Sequence, residues 1–270
     1  IVPGESGLKG WKDGAGLLGE RCEAVVHLLE VRGEVLLAGC KNGAVWRLEK
    51  KGSELKRTLV FASNGSPVTQ ISQDRSGAIW VSRRKGGAAR FQPVLTQPER
   101  AFRLQMTGRY DRQRGLPSDW VNKVLDDVEG NLWFPHAQGI SKLRHDHAAF
   151  ESWTGKSVAG FKPALPNSGV GAVSVIGSGK EKVVWVGTDG GIALLRPEKA
   201  PHWLTTFPGA SASMVWTLCR DDGDRVWFTD ETNLGIIDTI GKNLPEGFPA
   251  YQPIDLGNGQ SGHVHLFRFR

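Results

Sequence analysis

The chain has 270 residues, of which 39% are hydrophobic and 23% charged, so it can bury one sizeable core, and its composition argues against disorder. Its net charge of +6 gathers into no cluster tighter than Arg83-Arg84-Lys85, which argues against a nucleic-acid partner. No apolar run approaches the ~20 residues of a membrane helix, so contact with a membrane is expected only through segments outside this chain. The chain begins at Ile1 rather than Met, as it would after excision or after removal of a signal peptide.

Residues 1–25 are glycine-rich, with a short strand expected at 7–11. A first set of strands follows at 24–31, 35–39, 44–48 and 55–61. A second set starts near Val68, turns at 74–77, resumes at 78–81, turns at 85–87 and continues at 88–91. In the third, Val121, Val124 and Leu125 mark the first strand, 127–131 a turn, 132–134 the second strand, 140–143 the third and 150–153 an outer strand. The fourth runs from Val173 through 183–186 to 192–195, and the fifth from Val215 through the turn 221–224 and 226–229 to 234–237. A sixth begins at 263–267. Short apolar, β-branched and aromatic runs punctuated by Gly, Asn and Asp are the strand-and-hairpin signal.

Leu37, Trp80, Trp133, Trp185 and Trp227 occupy equivalent places, separated by 43, 53, 52 and 42 residues. Four strands in each unit of that period read as a β-propeller blade. The expected fold is therefore all-β: a β-propeller of four-stranded blades, with repeats at 24–62, 66–110, 116–154, 170–207 and 213–252 and a partial sixth at 262–270. The whole of 1–270 reads as one propeller domain, with the anchor tryptophans packed between blades. Its unequal ends suggest a ring cut from a longer propeller; a compact five-bladed ring or an incomplete ring needing a partner are the alternatives.

Three cysteines, Cys22, Cys40 and Cys219, make an odd set with no C-x-x-C. Buried thiols are the expectation, and a Cys22–Cys40 bridge is left open.

Gly115-Leu116-Pro117 through Asp127, then Gly130-Asn131-Leu132-Trp133 and Gly139-Ile140, resembles the two-component regulator propeller repeat, as does the stretch from Val184 to Ile192. The resemblance implies the sensor propeller of bacterial sensor histidine kinases, located in the periplasm or otherwise outside the cytoplasm. It names no ligand. Repeat one departs from it by lacking the Trp, and repeat three by carrying Pro135-His136 in place of Gly-Thr. A single stretch, 226–229 with 233–238, is also similar to a blade of virginiamycin B lyase, a metal-dependent propeller enzyme with a His/Glu pair. That pair cannot be placed on particular residues here.

In such a fold, the loops into the innermost strand and those between the second and third strands carry the binding residues. The second group holds Lys41-Asn42, Arg83-Arg84-Lys85, His136-Ala137-Gln138, Thr188-Asp189 and Asp230-Glu231. The first holds Asn64, Ser118-Asp119-Trp120, Asn167-Ser168, 211–214 and 260–263. Arg83, Arg84, Asp119, Trp120, His136, Gln138, Asp189 and Asp230 are the candidate ligand-binding residues. Trp120 suits stacking, Arg83 and Arg84 a carboxylate or phosphate, and His136 and Asp189 hydroxyls.

His145/His147 and His263/His265 each place two imidazoles on one strand face, but no third ligand is identified and no metal or other cofactor is expected. Asp126-Asp127 and Asp221-Asp222 read as hairpin-turn acceptors rather than a glycosidase carboxylate pair. No nucleophile elbow or phosphate loop is present. The sequence reading is thus a non-enzymatic sensing module for a small polar or carbohydrate-like ligand or a protein partner, compatible with homodimerisation. A metal-dependent lyase and an interaction scaffold are the alternatives.

Overall fold

The computed structural model describes residues 22–32, 35–51, 54–62, 65–96, 101–145, 149–155, 165, 169–177, 182–195, 202–204, 214–221, 225–230, 234–238 and 252–254. The strand expected at 7–11, the sixth repeat, Asn64, His147, 167–168, 211–213, Asp222, Glu231, 260–263 and His265 lie outside the described residues.

Among the described residues, five four-stranded antiparallel sheets follow one another along the chain, with the strands of each in sequential order. Blade one holds β1 (Val25–Arg32), β2 (Val35–Cys40), β3 (Val45–Lys51) and β4 (Glu54–Phe61). Blade two holds β5 (Val68–Gln73), β6 (Ile79–Arg83), β7 (Ala88–Thr96) and β8 (Ala101–Tyr110). Blade three holds β9 (Leu125–Asp126), β10 (Leu132–His136), β11 (Gly139–Leu143) and β12 (Phe150–Thr154). Blade four holds β13 (Val170–Ile176), β14 (Val183–Thr188), β15 (Gly191–Leu195) and β16 (His202–Leu204). Blade five holds β17 (Thr217–Arg220), β18 (Arg225–Thr229), β19 (Leu234–Asp238) and β20 (Gln252–Ile254). This is the blade architecture of a β-propeller. The chain divides into two compact units, Ile1–Asp126 and Asp127–Arg270.

In blades two and three the second strand is buried on both faces. That is why it reads as an unbroken apolar run rather than an alternation: every residue of β6 and of β10 is buried. In the first unit, Leu37 and Val45 of blade one share a core with Val68, Ile71, Ile79, Val81, Ala89 and Phe91 of blade two. In the second, Trp185, Ile192 and Leu194 of blade four share one with Leu218, Val226, Phe228 and Ile237 of blade five. One contact recurs. A Cβ on Gly39 would lie 2.7 Å from Val68 Cγ1, and one on Gly187 would lie 2.7 Å from Val215 Cγ1. The missing side chain lets the next blade close on the second strand of the one before it.

Three of the anchor tryptophans are held by the same device. An aspartate six residues earlier accepts the indole N–H: Asp74 from Trp80 at 2.8 Å, Asp127 from Trp133 at 3.0 Å and Asp221 from Trp227 at 2.8 Å. The other oxygen of each carboxylate accepts a backbone N–H four residues on, from Ala78, Asn131 and Arg225. Asp127 and Asp221 are therefore turn acceptors, as the sequence predicts. Blades one and four lack this aspartate, with Val31 and Gly179 at the corresponding positions.

Two expectations need correction. The first strand of blade three is only two residues long, and Val121 and Val124 lie outside it. Their backbone groups serve blade two instead: Val121 N–H donates to Arg83 O, Thr69 Oγ1 to Val121 O and Ser72 Oγ to Val124 O. Second, Cys22 and Cys40 are not thiols but a disulfide, with Cα atoms 5.4 Å apart. Register explains it. Val25 pairs with Cys40, and Lys41 N–H donates to Ala24 O, so the chain leading into β1 is held alongside the end of β2.

The bridge closes an 18-residue separation, which by loop entropy stabilises the fold by about 3 kcal/mol. Replacing both cysteines with serine is expected to lower the urea midpoint accordingly, whereas Cys219→Ser leaves it in place. Equal midpoints for the double variant and the parent would refute a structural role for the bridge.

Candidate functional site

The position three residues after each anchor ends, or directly follows, the second strand. It holds Cys40, Arg83, His136, Thr188 and Asp230, and all five are buried. Three of the sequence-predicted ligand residues therefore occupy one structural slot, which aligning the repeats on their anchors would have found. Each blade fills it with different chemistry. Thr188 settles into its own turn, donating to Gly191 O and accepting from Gly190 N–H.

In the first unit, the structure brings Arg83, Arg84, Asp119 and Trp120 together. Gly87 N–H donates to Asp119 O and Val121 N–H to Arg83 O, so the β6–β7 loop lies against the segment that leaves blade two. Gly87 is at φ +72°, and a Cβ there would meet Tyr110 O at 1.8 Å, so only glycine allows this approach. The exposed Arg84 guanidinium lies 4.9 Å from the Trp120 ring centroid, and Trp120 remains 39% exposed. Asp119 accepts Arg112 N–H at 2.8 Å, at the start of the 3-10 turn Arg112–Arg114.

Arg83 points away from that surface. Its guanidinium carbon sits 3.7 Å from the Phe61 ring centroid, and Nη2 donates to Gly43 O at 3.3 Å. Nε is buried and has no hydrogen-bond partner among the described residues. Burial, then the positive charge of Arg109, pushes its pKa down to about 10. Beside it is a cavity of about 270 Å³, lined by Phe61, Val81, Ala89 and Met106, by Gly86 and Gly87, and by Arg83 and Arg109.

In the second unit the candidates do not form one polar cluster. His136 is fully buried. Its Nδ1 accepts Gln138 N–H at 3.2 Å, which leaves the proton on Nε2 to be donated to Ser141 Oγ at 3.0 Å. Ser141 Oγ also shares a hydrogen bond with Ser152 Oγ at 2.6 Å. Burial pushes the His136 pKa down to about 3, so the ring stays neutral. The Gln138 side-chain oxygen is buried without a partner among the described residues. Asp189 is exposed after β14, its N–H bonded to Gly169 O, while Asp230 is buried after β18.

No motif or spacing singles out Lys182, which is buried with its ammonium 2.9 Å from Asp127 Oδ2 and also bonded to Glu129. Burial pushes the Asp127 carboxyl up, but hydrogen bonds from Asn131, Lys182 and Trp133 outweigh it and hold it below the ordinary carboxylate range. Among the described residues no three of His, Cys, Asp and Glu group together in a way that would hold a metal ion. None of the described helices is long and apolar enough to cross a membrane.

No family model and no curated protein matches the chain. Solved structures do. The extracellular domain of the hybrid two-component system BT4673 from B. thetaiotaomicron matches at 13% identity and TM-score 0.57, over 88% of this chain but only 28% of that one. A streptogramin B lyase matches at 14% identity and TM-score 0.56, over 89% of this chain and 72% of that one. The WD40 propeller domain of Doa1 matches at 13% identity and TM-score 0.54, over 84% of this chain and 70% of that one. The chain thus spans little more than a quarter of the sensor domain it resembles. What these structures share with it is the fold: a β-propeller of four-stranded blades.

Proposed function

We propose that residues 1–270 form one propeller domain that senses a ligand for a bacterial two-component receptor outside the cytoplasm, and that it does so without catalysis. The observation carrying this is the buried Arg83, which lines a cavity and whose Nε has no hydrogen-bond partner among the described residues, together with the exposed Arg84–Trp120 pair. A buried cation lacking a carboxylate is the kind of perturbed group that marks ligand sites. The extracellular sensor domain among the matched structures supports the setting, and so does the disulfide, because disulfides persist in oxidising compartments. In this reading Arg83, Arg84 and Trp120 contact the ligand, Asp119 holds their loop, and Gln138 and Asp189 offer polar groups in the second unit. His136 supports the turn that carries Gln138, and Asp230 stays buried after β18. Binding would shift the packing of whatever the propeller is joined to, to the extent that the ligand prefers one arrangement.

Calorimetry with neutral sugars, sugar acids and small carboxylates tests the proposal. At least one should bind, with affinity reduced about tenfold or more by Arg83→Gln or by Arg84→Ala with Trp120→Ala. Binding by none, or binding indifferent to both sets of changes, would overturn it. No observation among the described residues favours the lyase alternative.

A further inference from the structure

The cavity beside Arg83 has two kinds of wall. Phe61 comes from the end of β4, Val81 from β6, Ala89 from β7 and Met106 from β8, and together they make an apolar surface. Gly86, Gly87 and two arginines complete the lining, and the arginines differ in their surroundings. Arg109 is half-exposed and bonded through Nε to Asp111 Oδ2 at 3.1 Å. Arg83 is more than nine-tenths buried, with one carbonyl bond, one ring beneath it and an unused Nε. Among the described residues no carboxylate pairs with it. The volume of about 270 Å³ lies just below the roughly 300–1,000 Å³ typical of ligand pockets.

An occupant must therefore be small, largely apolar and anionic at one end. A neutral apolar molecule would leave the charge of Arg83 unanswered, and an inorganic anion would leave the Phe61–Met106 wall unfilled. We propose that this cavity binds a small organic monocarboxylate with an apolar body, the carboxylate set against Arg83 and Arg109 and the body against Phe61, Val81, Ala89 and Met106. The proposal rests on the ligand-sensing reading above and supplies its ligand class. Guanidinium suits this task because its planar fork matches a carboxylate.

Calorimetry on the full 270-residue chain tests it with three probes: benzoate, benzyl alcohol and inorganic phosphate. Benzoate should bind at least about tenfold more tightly than either of the others. Arg83→Gln should weaken benzoate by a similar factor. Ala89→Leu, which fills the space and keeps the charge, should do the same and serves if Arg83→Gln fails to fold. Cys219→Ser, which lies outside this lining, should leave benzoate affinity unchanged. Failure of benzoate to bind, phosphate binding as well as benzoate, or indifference to both cavity variants overturns the proposal. If a sugar or sugar acid then binds through Arg84 and Trp120, the sensing reading survives without the cavity; if nothing binds, both fall.

Discussion

Asp127→Ala is expected to lower the unfolding free energy by about 3–5 kcal/mol, the usual cost of breaking a buried ion pair from one side. The carboxylate accepts from Glu129 N–H, Asn131 N–H, the Asn131 amide, the Trp133 indole and Lys182. Alanine leaves the turn donors unmet and Lys182 with Glu129 as its remaining carboxylate partner. Glu129 is about one-third exposed, so it replaces a buried partner poorly. Asp74→Ala and Asp221→Ala provide the comparison. Each removes the same indole and turn bonds, but no buried ammonium depends on either carboxylate, so losses of about 1–3 kcal/mol are expected. Urea unfolding of the three variants measures the difference. If Asp127→Ala costs no more than Asp221→Ala, water reaches Lys182 once its partner is gone, and the pair is not an essential element of blade three.

Acid should destabilise the protein before ordinary carboxylates titrate, and His136 is the expected cause. Its pKa is about 3 in the folded protein, against 6.5 for an unperturbed histidine. Between those values the unfolded chain binds a proton that the folded one does not, so stability falls as pH falls. The loss approaches about 1.4 kcal/mol for each pH unit below 6.5 and ends as pH nears 3. Asp127 acts later and in the same direction. Its depressed carboxyl contributes stability above the ordinary carboxylate range, and that contribution is lost as pH falls through the lower folded value. Urea midpoints between pH 7 and 5 isolate the histidine. His136→Gln, which can still donate to Ser141, should flatten the slope there whatever it does to stability at pH 7. An unchanged slope would show that His136 is not the titrating group.

The blades were legible in the sequence because their signals are local. The anchor tryptophans, the glycine turns and the short apolar runs each reflect a hairpin contained in a few dozen residues. The Asp–Trp spacing of six was equally legible at 74/80, 127/133 and 221/227, for the same reason. What escaped depended on neighbouring blades. Lys182 stands before β14 and reaches back to a turn more than fifty residues earlier. The cavity joins Phe61 to Met106 and Arg109, which lie on outer strands whose spacing carries no chemical pattern. Arg83 and His136 stand out in the sequence as individual residues, but turn sequences cannot tell a solvated side chain from one folded inward. Here the slot after the second strand is buried in every blade.

The cavity is walled by the last residue of β4 in blade one and by three strands of blade two, and Arg83 itself reaches across to Gly43. In repeat architectures, stability is close to a sum of unit terms and interface terms between neighbours. Anything that fills this space adds to the interface term joining these two blades, by about 2.7 kcal/mol at a concentration one hundred times its dissociation constant. Occupancy would therefore act as adhesion between blades. It should register as slower exchange of the backbone amides along β4 and β8, even without any movement of the strands.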